Sequence, residues 1–114
     1  MIARIWHGVV PAAKAEAYER YLPDSERGVD DYRRLPGNLG VALHRRAEGD
    51  RVHFQLISWW TDRAAIAAYT GADIDRAQYF AFDLECLIDP ETTVTHHEVV
   101  LPPFPVPSRT APSS

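Results

Sequence analysis

LGVALHRRAEGDRVHFQLISWW, residues 39–60, reads as two β-strands folded back on each other around Gly49-Asp50. Both arms alternate in polarity and are rich in β-branched and aromatic residues, and Gly at the first central position of a two-residue loop is the type II′ hairpin signal. That turn sets the register, with Ala47 opposite Val52, Arg45 opposite Phe54 and Leu43 opposite Leu56. Successive strand side chains point to opposite faces. One face therefore carries Leu39, Val41, Leu43, Val52, Phe54, Leu56 and Trp60, and the other Ala42, His44, Arg46, His53, Gln55, Ile57 and Trp59. The first face is a core face. The second is mixed, and the adjacent indoles of Trp59 and Trp60 diverge, one to each side.

Working outward, Thr61 or Asp62 is placed to cap a helix over 63–70, which Gly71 closes in a left-handed conformation. Upstream, residues 2–9 alternate as a first strand. A helix follows from Pro11, whose missing N–H suits a first turn, with an apolar stripe of Ala17, Tyr18, Tyr21 and Leu22. Pro23 breaks or kinks it, and residues 24–35 form a second helical piece stopped by Pro36-Gly37. Downstream, 76–88 is expected to be helical with a break, and 93–101 a last strand. Residues 1–101 then make one domain, and PPFPVPSRTAPSS, residues 102–114, a Pro- and Ser-rich extended tail outside the core.

The order strand, helix, strand, strand, helix, strand is the α+β, ferredoxin-like order with an antiparallel sheet. Two helices cover only one sheet face, so the mixed face needs a second cover. A second copy of the sheet is the economical one, and a homodimer is expected. His44 and His53 share that mixed face, as polar residues of the interface or as a metal or pH-sensitive contact.

Composition narrows the function classes. A chain of 114 residues with 46% hydrophobic residues holds one core, and a formal charge of −4 with scattered arginines offers no footprint for nucleic acid. Cys86 is the single cysteine, which excludes an internal disulfide and fits a reducing compartment. The N-terminus lacks a signal-peptide pattern and no run reaches the ~20 apolar residues that span a bilayer. A cytoplasmic protein with no membrane partner is expected. Glycine-rich phosphate loops, nucleophile elbows and Cys/His metal clusters are all missing from the sequence.

Four segments, IARIWHGVVP, YRRLPGNLGVALHRR, ISWWTDRAAIAAYTG and THHEVV, together resemble the antibiotic biosynthesis monooxygenase family of the dimeric α+β barrel superfamily, over about residues 1–100. The resemblance implies one of several activities. Its characterised relatives include oxygenases that oxidise aromatic polyketide phenols without a cofactor, and haem-degrading enzymes. Trp60 and Tyr69 match positions usually aromatic in the haem-degrading branch, whose axial ligand would fall near Gln78-Tyr79; no His occurs between Trp60 and His96. The oxygenases commonly use an Asn on the first strand. The single Asn here, Asn38, falls in a loop, which leaves His7 as the nearest donor to replace it.

The expectation is thus a cofactor-independent monooxygenase of an aromatic small molecule. The alternatives are a non-catalytic small-molecule binding or accessory protein, or a haem-binding relative. His7, grouped with Ala3, Ile5 and Val9 on a helix-covered face, and His96, grouped with Val94 and Val100, are the candidate bases. An imidazole titrating near neutral pH suits proton abstraction. The competing reading of each is a hydrogen-bonded core histidine. His97 points away from His96, so the pair cannot chelate one metal. Trp6, Trp60, Tyr69, Tyr79 and Phe80 are the candidate substrate-binding residues, able to line a flat aromatic pocket or simply to build the core. Tyr18, Tyr21 and Arg4 are weaker candidates.

Overall fold

The computed structural model describes residues 1–24 and 34–105. Its elements are β1 (Ile2–Pro11), α1 (Ala12–Asp24), β2 (Asn38–Glu48), β3 (Arg51–Trp60), α2 (Arg63–Thr70), α3 (Ala81–Cys86) and β4 (Thr95–Glu98). The strands form one antiparallel sheet in the order β2-β3-β1-β4, the ferredoxin-like arrangement in which β1 and β3 are central.

The hairpin has the register its turn dictates: Ala47 faces Val52, Arg45 faces Phe54 and Leu43 faces Leu56. Of the two turn residues only Gly49 has positive φ, at 59°, as a type II′ turn requires. The register slips at the far end. An irregularity between Asn38 and Gly40 sets Asn38, not Leu39, opposite Trp60, and turns Leu39 off the apolar face. Asn38, expected in a loop, opens β2.

Helix ends follow local chemistry. The Asp62 carboxylate accepts from the Ala65 N–H at 2.9 Å, and Gly71, at φ 92°, donates its N–H to the Ala67 carbonyl at 2.8 Å. Pro11 pairs with Arg51 as the last residue of β1, so it ends a strand instead of starting the helix. Pro23 lies in the last turn of α1, and its buried stripe is Ala15, Tyr18 and Leu22, with Ala17 exposed. Most of the second helical piece expected over 24–35 lies outside the described residues. Helix over 76–88 is confined to α3, because Arg76 bridges Thr93 in extended pairing, and the last strand shortens to four residues.

The three described helices lie against one face of the sheet. Val52, Phe54, Leu56, Ser58 and Trp60 of β3 point into it, joined by Ile2, Arg4, Trp6, Gly8 and Val10 of β1. This corrects the expected phase of β1. His7, with Ile5 and Val9, lies on the opposite, open face, as its pairing with Gln55 requires. The deciding feature is Gly8. A Cβ there would lie 2.5 Å from Cζ2 of Trp6, so the missing side chain is what lets the Trp6 indole lie flat on the core face. On the open face, Phe104 packs edge-on to Trp59, with centroids 5.8 Å apart, so the start of the tail touches the sheet.

Candidate functional site

Between the sheet and the helices lies a cavity of about 60 Å³, lined by Arg4 and Trp6 of β1, Tyr18 of α1, Tyr69 of α2, Asp83 of α3 and the connecting residues Gln78, Tyr79 and Phe80, among others. Four of the five residues singled out as an aromatic pocket meet here. Trp60 forms the layer behind them: fully buried, it stacks on Tyr69 at 6.2 Å and 21° and donates from Nε1 to Oγ of Ser58 at 2.8 Å.

Tyr79 is fastened at both ends of its hydroxyl. It accepts from Nε1 of Trp6 at 3.0 Å and donates to the Glu91 carbonyl at 2.6 Å. Burial raises its pKa above the ordinary phenol value, so it acts as a neutral hydrogen-bonding group. Trp6 meets it edge to face, the ring arrangement favoured by aromatic quadrupoles.

Asp83, 7% exposed, is the residue that reading the sequence missed. Its Oδ1 accepts from the Tyr18 hydroxyl at 2.8 Å; its Oδ2 accepts from the Tyr21 hydroxyl at 3.2 Å and the Phe80 N–H at 2.8 Å. The last bond is an N-terminal helix cap, the third residue of α3 reaching back to the residue before the helix. Burial, and then Asp83, pushes the Tyr18 hydroxyl far above its ordinary pKa, while burial followed by the nearby Asp83 charge pushes Tyr21 up to about 12. Both tyrosines therefore stay protonated and donate. A signal existed: two tyrosines at i and i+3 on one helix aim two hydroxyls the same way, and buried hydroxyls need an acceptor.

The two candidate bases lie elsewhere. His96 sits beside Arg4 in the pairing of β4 with β1, its side chain 4% exposed, with Nδ1 2.9 Å from Oδ1 of Asp75 and Nε2 buried without a hydrogen-bond partner among the described residues. It adjoins the cavity but is not among the residues that line it. Burial lowers its pKa, aided by Arg4 and Arg63 and opposed by Asp75. A histidine whose native pKa is depressed adds stability that is present above the unfolded value of 6.5 and is lost as pH falls through the native value. Urea midpoints of the parent chain should therefore fall between pH 7.5 and 5.5 more steeply than those of His96→Gln. Parallel pH profiles would contradict this.

His7 is on the other side of the sheet. Its Nδ1 is 2.6 Å from Oε2 of Glu91 and its Nε2 is 2.9 Å from Nδ1 of His53, whose Nε2 is 2.8 Å from Oε1 of Glu48. With ring centroids 5.2 Å apart and planes tilted by 24°, the two imidazoles meet nose to nose as donor and acceptor. Glu91 joins the two faces: its carboxylate holds His7, and its carbonyl holds Tyr79. His44 is on the open face too, 3.4 Å from Gln55. Among the described residues no group of three or more His, Cys, Asp or Glu is arranged to hold a metal ion.

A family model described as antibiotic biosynthesis monooxygenase matches residues 2–77. Two solved structures share the fold. One is the haem-degrading protein MhuD of Mycobacterium tuberculosis, with two haems bound in its active site; it is 22% identical, with a TM-score of 0.54, over 90% of this chain and 98% of that one. The other is a putative antibiotic biosynthesis monooxygenase of Bordetella bronchiseptica, 24% identical, with a TM-score of 0.56, over 88% and 97%. No curated protein matches the chain. Tyr79, Phe80 and Asp83, a large part of the cavity wall, lie beyond the segment that the family model covers.

Proposed function

The chain belongs to the antibiotic biosynthesis monooxygenase family, and from that membership we propose that it binds a planar phenolic small molecule in the helix-side cavity and oxidises it with dioxygen. The observation that carries this reading is the convergence of Trp6, Tyr18, Tyr69 and Tyr79 on one cavity that also holds a buried carboxylate and a buried guanidinium. Aromatic walls with a few fixed polar groups are what a flat, hydroxylated ligand requires.

As it stands the cavity is a tight, partly open cleft. An apolar cavity of about 150 Å³ takes up one benzene, so 60 Å³ does not admit an aromatic ring. Entry of a ring requires the wall to yield, and residues 77–80, where Gln78 and Phe80 are exposed, form a part of that wall outside helix and strand. The chemistry balances without another reductant: an anthrone and one dioxygen give the anthraquinone and one water, the substrate supplying all the electrons. The protein contributes orientation, exclusion of water and fixed dipoles for the developing oxyanion.

The test is aerobic incubation with anthrone, following quinone absorbance against a protein-free control. Quinone formation well above that control supports the oxygenase. Binding seen by tryptophan quenching with no added turnover would leave the non-catalytic binding protein, and the absence of both binding and turnover would overturn the reading.

Haem fits this chain poorly. The cavity is far too small for the macrocycle, all five histidines lie off its wall, and the Tyr79 hydroxyl at the expected ligand position is already bonded on both sides.

A homodimer joined through the open faces belongs to the same proposal. Ile5, Val9, Ile57 and Trp59 stay partly exposed on that face, with Phe104 packed against Trp59. Trp59→Ser should weaken association in sedimentation velocity, and a monomeric parent chain at high concentration would rule the dimer out. Among the described residues no helix is long and apolar enough to cross a membrane. The free, buried Cys86 suits the reducing cytoplasm as the compartment.

A further inference from the structure

We propose that Asp83 is the ligand-recognising acceptor of the cavity, taking a hydrogen bond on Oδ1 from a hydroxyl of the aromatic ligand. This rests on the reading that the cavity binds a phenol, and adds which protein atom selects the hydroxyl.

Three observations carry it. First, an ionised carboxylate offers about four acceptor sites, and three are occupied. Oδ2 holds Tyr21 and the Phe80 N–H; Oδ1 holds Tyr18 alone among the described residues. One site remains, on an oxygen of a residue that lines the cavity. Second, the three partners are neutral donors. A buried carboxylate is stabilised by each hydrogen bond it accepts, and a ligand hydroxyl would add a fourth. Helix capping explains the bond to Phe80 but not why the capping residue lies on a cavity wall with two tyrosines converging on it. Third, Arg4, 5% exposed, lines the same cavity with a fixed positive charge. A hydroxyl that donates to Asp83 leaves its own oxygen electron-rich, and a guanidinium lining the same cavity favours that polarisation. Neither candidate histidine lines this space.

The experiment measures binding, not turnover, so that it stands apart from the oxidation assay. 1-Naphthol and 1-methoxynaphthalene have the same ring system, but the ether cannot donate. Dissociation constants come from tryptophan quenching of the full chain. The parent chain should prefer the naphthol at least tenfold. Asp83→Asn, which keeps the shape and a neutral acceptor, should cut that preference threefold or more. Tyr18→Phe removes the other donor to Oδ1 and should raise the preference, a change that a purely structural role for Asp83 does not produce. Equal binding of the two ligands by the parent chain overturns the proposal while leaving the cavity a binding site, and so does a preference that survives intact in Asp83→Asn. If Asp83→Asn does not fold, the parent ratio and the Tyr18→Phe shift decide. If neither ligand binds, this proposal and the phenol-binding reading fall together.

Discussion

Trp60→Ala is expected to lower the free energy of unfolding by about 3–5 kcal/mol, the range for removing a large aromatic from a packed core. Trp60 is fully buried, and two of its contacts set its place in that range. Its ring stacks on Tyr69, which loses its support and is free to tip into the void. Its Nε1 is donated to the hydroxyl of Ser58, itself 2% exposed, and an abandoned buried hydroxyl costs about 1–3 kcal/mol where no water replaces the donor. A domain of this size is stable by roughly 5–15 kcal/mol, so the variant should fold only marginally. Trp59→Ala, one residue earlier on the open face, should cost far less to the folded monomer. Urea unfolding of both variants checks the contrast. A loss below about 1 kcal/mol for Trp60→Ala would mean that Tyr69 collapses into the space and that the layer behind the cavity is soft.

That contrast was legible from the hairpin alone, because Gly49-Asp50 sets the register by a local rule and register assigns each indole to a face. The caps at Asp62 and Gly71 were legible for the same reason. What escaped depends on contacts between residues far apart in sequence. Both faces of β1 read as plausible core: Ala3, Ile5, His7 and Val9 on one side, Ile2, Arg4, Trp6 and Val10 on the other. Periodicity cannot choose between them, and the choice moved His7 off the cavity. Nor does local propensity show that Arg76 will bridge Thr93 and hold 77–80 out of a helix, the conformation that brings Tyr79 and Phe80 to the cavity. Asp83 was hidden for a related reason. Its partners Tyr18 and Tyr21 lie more than sixty residues away, and only the packing of α1 on α3 brings them together.

Gly8→Ala tests that long-range choice with a single methyl group. The added Cβ would lie 2.5 and 2.6 Å from Cζ2 and Cη2 of Trp6 and 2.8 Å from Cδ2 of Leu87, closer than real Cβ contacts come. Leu87 can give at the end of its flexible side chain, but the two Trp6 carbons belong to a rigid indole ring. The indole must therefore move. Overpacking of this kind costs about 1–3 kcal/mol, offset by the roughly 0.5–1 kcal/mol that alanine gains over glycine within a strand. No relief of backbone strain enters, because Gly8 is not a positive-φ position. A net loss of about 1–2 kcal/mol should lower the melting temperature by several degrees. The larger consequence is for the site: a displaced Trp6 gives up its 3.0 Å bond to Tyr79, one of the two hydrogen bonds that hold the Tyr79 hydroxyl at the cavity wall. The variant should therefore melt earlier and also change its affinity for 1-naphthol. If thermal denaturation followed by circular dichroism and naphthol titration both match the parent chain, Trp6 has room to spare at Gly8, and close packing at that glycine is not what sets the phase of β1.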